Sequence, residues 1–330
     1  MVPATIGSVT RPLARLLGAL QLVRLSLAVG AVGDLWLAVL LSRADPAFAA
    51  LPVCRMPLIQ ALAVAAVVAV GLYAFGASLN DLMDIRHDRA FSPDRPLPAG
   101  RIRSGHAVVV TVSSLMVAVI AANFFGQAAL LTMVVVAAAI LFLNAAGKHF
   151  PGVGLLTVGV VHAGHMLIPN QQLTFTLPLW LAMVHAVAVH TAVYRLEEKR
   201  PPITGRSVLV LVVGLVAASA VLLARGEWNQ ETGVTAGRHA AVLAFPILAV
   251  AGFVVVARWK SRSSPAASAA EKLLRYGSLW QVVYGVAWMA ALGQWQGAWW
   301  LALLALAGFA VMTMLRELVS LVLRPPMYRA

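Results

Sequence analysis

The chain has one cysteine and twelve acidic residues in 330, and only 11% of it is charged. A lone Cys54 excludes an intramolecular disulfide and offers no zinc set. So little charge excludes an ordinary soluble domain, in which about a quarter of residues are charged and about half are apolar. Here 61% are hydrophobic. Apolar runs recur from Leu22 to Leu323, each near the roughly 20 residues that cross a bilayer as a helix. Lipid cannot satisfy the backbone of an open sheet edge, so helices are expected throughout.

The fold class expected is an all-α, polytopic transmembrane bundle of nine or ten helices. The runs predict spans near 22–41, 57–79, 105–124, 127–144, 152–169, 176–193, 206–224, 239–257, 277–295 and 298–323. Gln294, Gln296 and Gly297 make a poor loop between the last two, which leaves open nine spans with one long or re-entrant element. Residues 1–21 are expected to be a cytosolic N-terminal segment, 22–323 a single transmembrane domain and 324–330 a cytosolic tail. Arg11 and Arg15 precede a span too long for a secretory signal, which reads as an uncleaved anchor.

A formal charge of +13 could suggest nucleic acid, but the basic residues track topology instead. With the N-terminus inside, four of the 25 Lys and Arg (Arg43, Arg55, Arg225 and Arg238) fall outside and 21 fall at the inner face. This positive-inside asymmetry places both termini in the cytosol of an integral membrane protein, expected in a bacterial inner membrane, with lipids and not nucleic acid as its surroundings.

The chain has six aspartates, and four of them, Asp81, Asp84, Asp88 and Asp94, lie within fourteen residues at the inner end of the second span. If the helix continues, Asn80, Asp84 and Asp88 stack at i, i+4 and i+8. Like charges so spaced repel. A divalent cation resolves the conflict, and hard oxygen ligands suit Mg²⁺, which keeps open positions for water and substrate phosphates. The plainer alternative is a solvated helix end neutralised by Arg86, Arg89 and Arg95.

RPLPAGRI follows at residues 95–102, and its skeleton returns as RPPITGRS at 200–207. The 105-residue offset spans four helices, which suggests an internal duplication. Arg95, Arg101, Arg200 and Arg206 are candidates to grip a diphosphate through charge-assisted hydrogen bonds. Contact with lipid headgroups is their bland reading.

Residues 80–102 resemble the first motif of the UbiA superfamily of intramembrane prenyltransferases, an NxxxDxxxD followed by an RPLPxGRI-like stretch, and the hydropathy of residues 20–320 is similar to that family's. The resemblance implies that Asn80, Asp81, Asp84 and Asp88 hold Mg²⁺ against the diphosphate of an isoprenyl substrate. It also implies that Arg24 and Lys148 are basic residues touching that diphosphate. The family's second aspartate-rich segment is absent. HTAVYRLEEKRPPITGR stands there, with His190, Tyr194, Glu197 and Glu198 as a possible remnant. Adjacent glutamates on a helix point about 100° apart and cannot repeat the stacked geometry. The YRLEEKRP string is similar to a divergent, EboC-like branch.

Four ionisable residues are expected near the membrane middle: Asp34, His162, His165 and His185. Such groups are costly there. They either line a polar cavity floor that meets the acceptor or relays a proton, or satisfy one another or backbone carbonyls between helices. The resemblance implies a Mg²⁺-dependent transfer of an isoprenyl group from its diphosphate to a lipophilic acceptor. Aromatics such as Tyr73, Phe75 and Tyr194 are near enough in sequence to contribute cation–π contacts. A terpene cyclase on the same scaffold, a non-catalytic membrane component of a transport or assembly system, and an unrelated secondary transporter are the rival readings.

Overall fold

The computed structural model describes residues 24, 27–91, 93, 95–226 and 241–323. Asp94, Arg11, Arg15 and Arg238, together with the segments 1–21 and 324–330, lie outside the described residues. Ten long helices follow one another: α1 (Ala28–Ala44), α2 (Leu58–Met83), α3 (Ser104–Ala122), α4 (Gln127–Ala145), α5 (Pro151–Met166), α6 (Leu177–Leu196), α7 (Gly205–Arg225), α8 (Ala241–Ser261), α9 (Ala266–Ala291) and α10 (Trp295–Leu323). Among the described residues there is no strand. Seven helices are long and apolar enough to cross a membrane by themselves, which makes the chain an integral membrane protein. The other three are α1 and α5, with 17 and 16 residues, and α9, whose first turns carry Glu271, Lys272 and Arg275.

Two features are sharper in the structure than in the sequence. The ninth helix begins at Ala266, ahead of the span expected near 277–295. The stretch AASAAEKLLRY is made mostly of strong helix formers, and Arg275 sits 3.7 Å from Glu271 one turn back. The second is the last loop, which the sequence left open between two readings and which is a sharp turn, not a re-entrant element. Gln294 N–H donates to Met289 C=O at 2.8 Å and Gly293 N–H to Ala290 C=O at 2.9 Å, the paired bonds of a Schellman stop. Gly293 supplies the left-handed φ of 73° that this stop requires. Gly293→Ala is expected to lower stability by about 1–2 kcal/mol; an unchanged melting temperature in detergent would refute this account of the turn.

Helix α1 sits at the centre, touching α2, α5, α9 and α10, while α6 bridges α5 and α9. The α1–α9 contact is close because glycines face it. A Cβ on Gly30 would lie 2.6 Å from the Ser278 carbonyl oxygen, and one on Gly33 would lie 2.6 Å from Val282 Cγ2. Ser278 uses the proximity, accepting from Gly30 N–H at 3.1 Å and donating to Leu27 C=O at 2.6 Å. Small residues that let backbones approach are the usual basis of helix packing in lipid. The outer helices present the opposite surface: Leu209, Val213, Val216 and Val221 of α7 are exposed, as a lipid-facing stripe must be.

Candidate functional site

The aspartate segment is not one straight helix. Helix α2 ends at Met83, Asp84 caps it with φ −93° and ψ 5°, and a short helix, Ile85–Phe91, follows. Helical hydrogen bonding nevertheless runs through the joint, from Asp84 N–H to Asn80 C=O at 2.9 Å and from Asp88 N–H to Asp84 C=O at 2.8 Å. The joint is pinned by a small apolar cluster in which Leu82 and Ile85 pack with Leu97, Ile102 and Ala107. Leu97 thereby ties the RPLPAGRI turn onto the start of α3. Gly100, at φ 69°, gives the turn its left-handed residue, and Ala99 N–H closes it on Arg95 C=O at 3.0 Å.

This construction brings three bases from three parts of the chain onto three carboxylates. Arg24, ahead of α1, donates to Asp81 at 2.8 Å. Arg95 donates to Asp88 at 2.7 Å and stands 3.7 Å from Asp81. Lys148, ahead of α5, donates to Asp84. Asn80 adds a long contact of 3.4 Å to Asp81. Asp81 and Asp88 are almost wholly buried, whereas their bases keep a third or more of their surface. Burial pulls the Arg24 pKa down, but the charge of Asp81, the hydrogen bond to it and the smaller contributions of Tyr73 and Asp88 together outweigh burial, and the pKa is raised. Arg86 and Arg89 are exposed and make no ion pair among the described residues, so the neutralising partners come from elsewhere in the chain, Arg95 excepted.

Among the described residues no three acid, imidazole or thiol side chains already converge as a preformed cage. The donor chemistry still fits magnesium, which takes one or two carboxylates and completes its shell with water and substrate phosphates. The charges are balanced as well: three carboxylates and three bases form a neutral array.

The second basic loop folds differently from the first. Gly205, the counterpart of Gly100, is the first residue of α7, and Thr204 Oγ1 caps that helix by accepting from Ser207 N–H at 3.3 Å. Tyr194 donates its hydroxyl to Pro201 C=O at 2.5 Å, and Lys199 pairs with Glu197 at 2.8 Å, so the YRLEEKRPP stretch hooks back on itself. Among the described residues no contact joins Glu197, Glu198 or Arg200 to the aspartates, and His190 Nδ1 lies 2.9 Å from Ala186 C=O of its own helix. Arg101 lies half-buried just before α3.

Deeper in the bundle, Asp34 of α1 faces His162 of α5 at 3.1 Å. His185 of α6 contacts Gly277 C=O at 3.0 Å through Nε2 and the Tyr284 hydroxyl at 3.0 Å through Nδ1. Tyr284 is the residue that sequence reading passed over; a polar tip midway along an apolar helix was the available signal. His165 is buried, and its Nε2 finds no hydrogen-bond partner among the described residues.

No protein-family model matches the chain, and no curated protein matches it in sequence. Solved structures do. The chain is similar to a structure of digeranylgeranylglyceryl phosphate synthase in membranes, at TM-score 0.53 and 17% identity, covering 84% of this chain and 98% of that one. It is also similar to a UbiA homologue from Archaeoglobus fulgidus bound to Cd²⁺, at TM-score 0.48 and 14% identity over 90% of this chain and 99% of that one. The same homologue bound to GPP and Mg²⁺ gives TM-score 0.45 and 16% identity over 90% and 99%. The synthase comparison shows the fold, which is the all-α membrane bundle of that structure.

Proposed function

With this all-α membrane bundle as premise, we propose that the protein is a Mg²⁺-dependent intramembrane prenyltransferase, moving an isoprenyl group from its diphosphate to a lipophilic acceptor. The observation that carries the reading is the neutral array of Asp81, Asp84 and Asp88 against Arg24, Lys148 and Arg95 at one end of the bundle. A purely structural set of ion pairs has no need to draw its bases from three separate segments. A diphosphate site does, because it must be gripped from several sides.

Asn80, Asp81, Asp84 and Asp88 would hold the metal, which when bound supplies positive charge beside the departing diphosphate. Arg24, Arg95 and Lys148 take the phosphate oxygens by charge-assisted hydrogen bonds, holding the leaving group where its negative charge develops. Arg101 and Arg200 stand at the loop ends as further contacts. The allylic C–O bond breaks, the acceptor's nucleophilic atom bonds to the freed carbon, and the acceptor's proton leaves. The apolar walls keep water from capturing the carbon first. The basic loops support a position at the cytosolic leaflet for this end of the bundle.

Calorimetric titration of purified protein with isoprenyl diphosphates of one to four units, with Mg²⁺ and with chelator, tests the reading. Binding that weakens at least about tenfold, or about 1.4 kcal/mol, on removal of magnesium is expected. No binding of any diphosphate at saturating magnesium would sink it.

A further inference from the structure

We propose that the Asp34–His162 pair forms the floor of the donor site and limits the isoprenyl chain to about three units, an inference that rests on the prenyltransferase reading above. Helices α1 and α5 both start at the aspartate end, where Arg24 and Lys148 pair with Asp81 and Asp84. They run side by side and meet again at Asp34 and His162, 3.1 Å apart. His162 lies eleven residues beyond Pro151, so the pair sits roughly 16 Å along α5 from its start.

That depth decides what the pair can do. Bond making and breaking occur at the carbon next to the diphosphate, too far from His162 for its imidazole to take the acceptor's proton. The far end of the donor does reach it. An extended isoprenyl chain covers roughly 5 Å per unit at ordinary bond lengths, so about three units span the distance from the array to the pair.

The chemistry of the floor resists a longer tail. With Nδ1 turned to the Asp34 carboxyl, His162 leaves its other ring nitrogen, Nε2, to face away from the pair. The side chain keeps 24% of its surface, and its Nε2 makes no hydrogen bond among the described residues. One turn farther, the buried Nε2 of His165 also lacks a partner. Hydrocarbon pressed onto Nε2 of His162 would bury a polar atom it cannot satisfy, so a fourth unit meets a barrier of solvation as well as of shape.

The test is a length profile: affinities of wild-type protein for isoprenyl diphosphates of one to five units, measured with magnesium. Affinity is expected to rise through three units and fall at least about tenfold at the fourth. In Asp34→Leu/His162→Leu, which removes both polar partners together, the four-unit donor should bind as the three-unit donor does, with the two-unit donor unchanged. Val158 is one turn nearer Lys148 on the same face of α5, so Val158→Phe should raise the floor, losing the three-unit donor and keeping the two-unit one. This second variant decides the matter should the double substitution fail to fold. Affinity that keeps rising past four units in wild type, or a profile that neither variant moves while the two-unit donor still binds, overturns the floor alone. Failure of wild type to bind any donor overturns the prenyltransferase reading and the floor with it.

Discussion

Asp84→Ala/Asp88→Ala protein should lose magnesium-dependent binding of isoprenyl diphosphate by at least about 100-fold, or about 2.7 kcal/mol, while its folding hardly changes. The two carboxylates are two of the three acids that would hold the metal, and Asp81 alone, paired with Arg24, cannot replace both. The bases they release are Arg95 and Lys148, which keep 39% and 29% of their side-chain surface and can return to water. Exposed or half-exposed pairs contribute at most about 1 kcal/mol. Titration calorimetry combined with a thermal melt separates the two quantities. A variant that binds diphosphate as wild type does, with magnesium present, would remove these residues from the site.

Arg95→Ala has the opposite balance. Asp88 is buried with Arg95 as its close partner, and Asp81 lies within reach of the same guanidinium. Taking away the base leaves a buried carboxylate short of hydrogen bonds, which costs about 1–3 kcal/mol. Asp88→Ala takes away the buried member instead and should cost clearly less. Magnesium sharpens the comparison. A cation bound to the carboxylates replaces part of the charge that Arg95 supplied, so adding Mg²⁺ should raise the melting temperature of Arg95→Ala by more than it raises that of wild type. An equal response in both proteins would mean that the carboxylates do not meet the metal.

Much of the architecture was legible from hydropathy alone, because lipid allows so few solutions. Ten apolar runs became ten helices, and an awkward pair of glutamines beside two glycines became a turn once Gly293 took a left-handed conformation. That α9 starts ahead of its expected span has a physical cause: hydropathy reports where lipid begins, and a helix of good formers extends past that boundary into water. In the aspartate segment the spacing was visible, but the bend at Asp84 was not, since it depends on Leu82 and Ile85 being drawn to Leu97 and Ile102 from the following loop. Nor does spacing reveal that each carboxylate is met by a base 7 to 64 positions away. The repeated RP…GR skeleton shows the limit most clearly. Two similar strings fold into different loops because Leu97 has a cluster to join near α2, whereas Ile203 joins Leu155, Val187 and Leu211 at another place. The mutual satisfaction of Asp34 and His162 had been open from sequence as one of two readings. The contact is present, and it is compatible with both.

The close approach of α1 to α9 through Gly30 and Gly33 also constrains the order in which the protein is made. The ribosome releases α1 first, yet its glycine face finds Ser278 and Val282 only when nearly the whole chain has been synthesised, and Asp34 waits more than a hundred residues for His162. During that interval the first helix must be sheltered by the insertion machinery or tolerate a carboxyl group facing acyl chains. Nascent chains arrested before α9 should therefore present an N-terminal helix that is still searching for its place, and quality-control proteases would find it there.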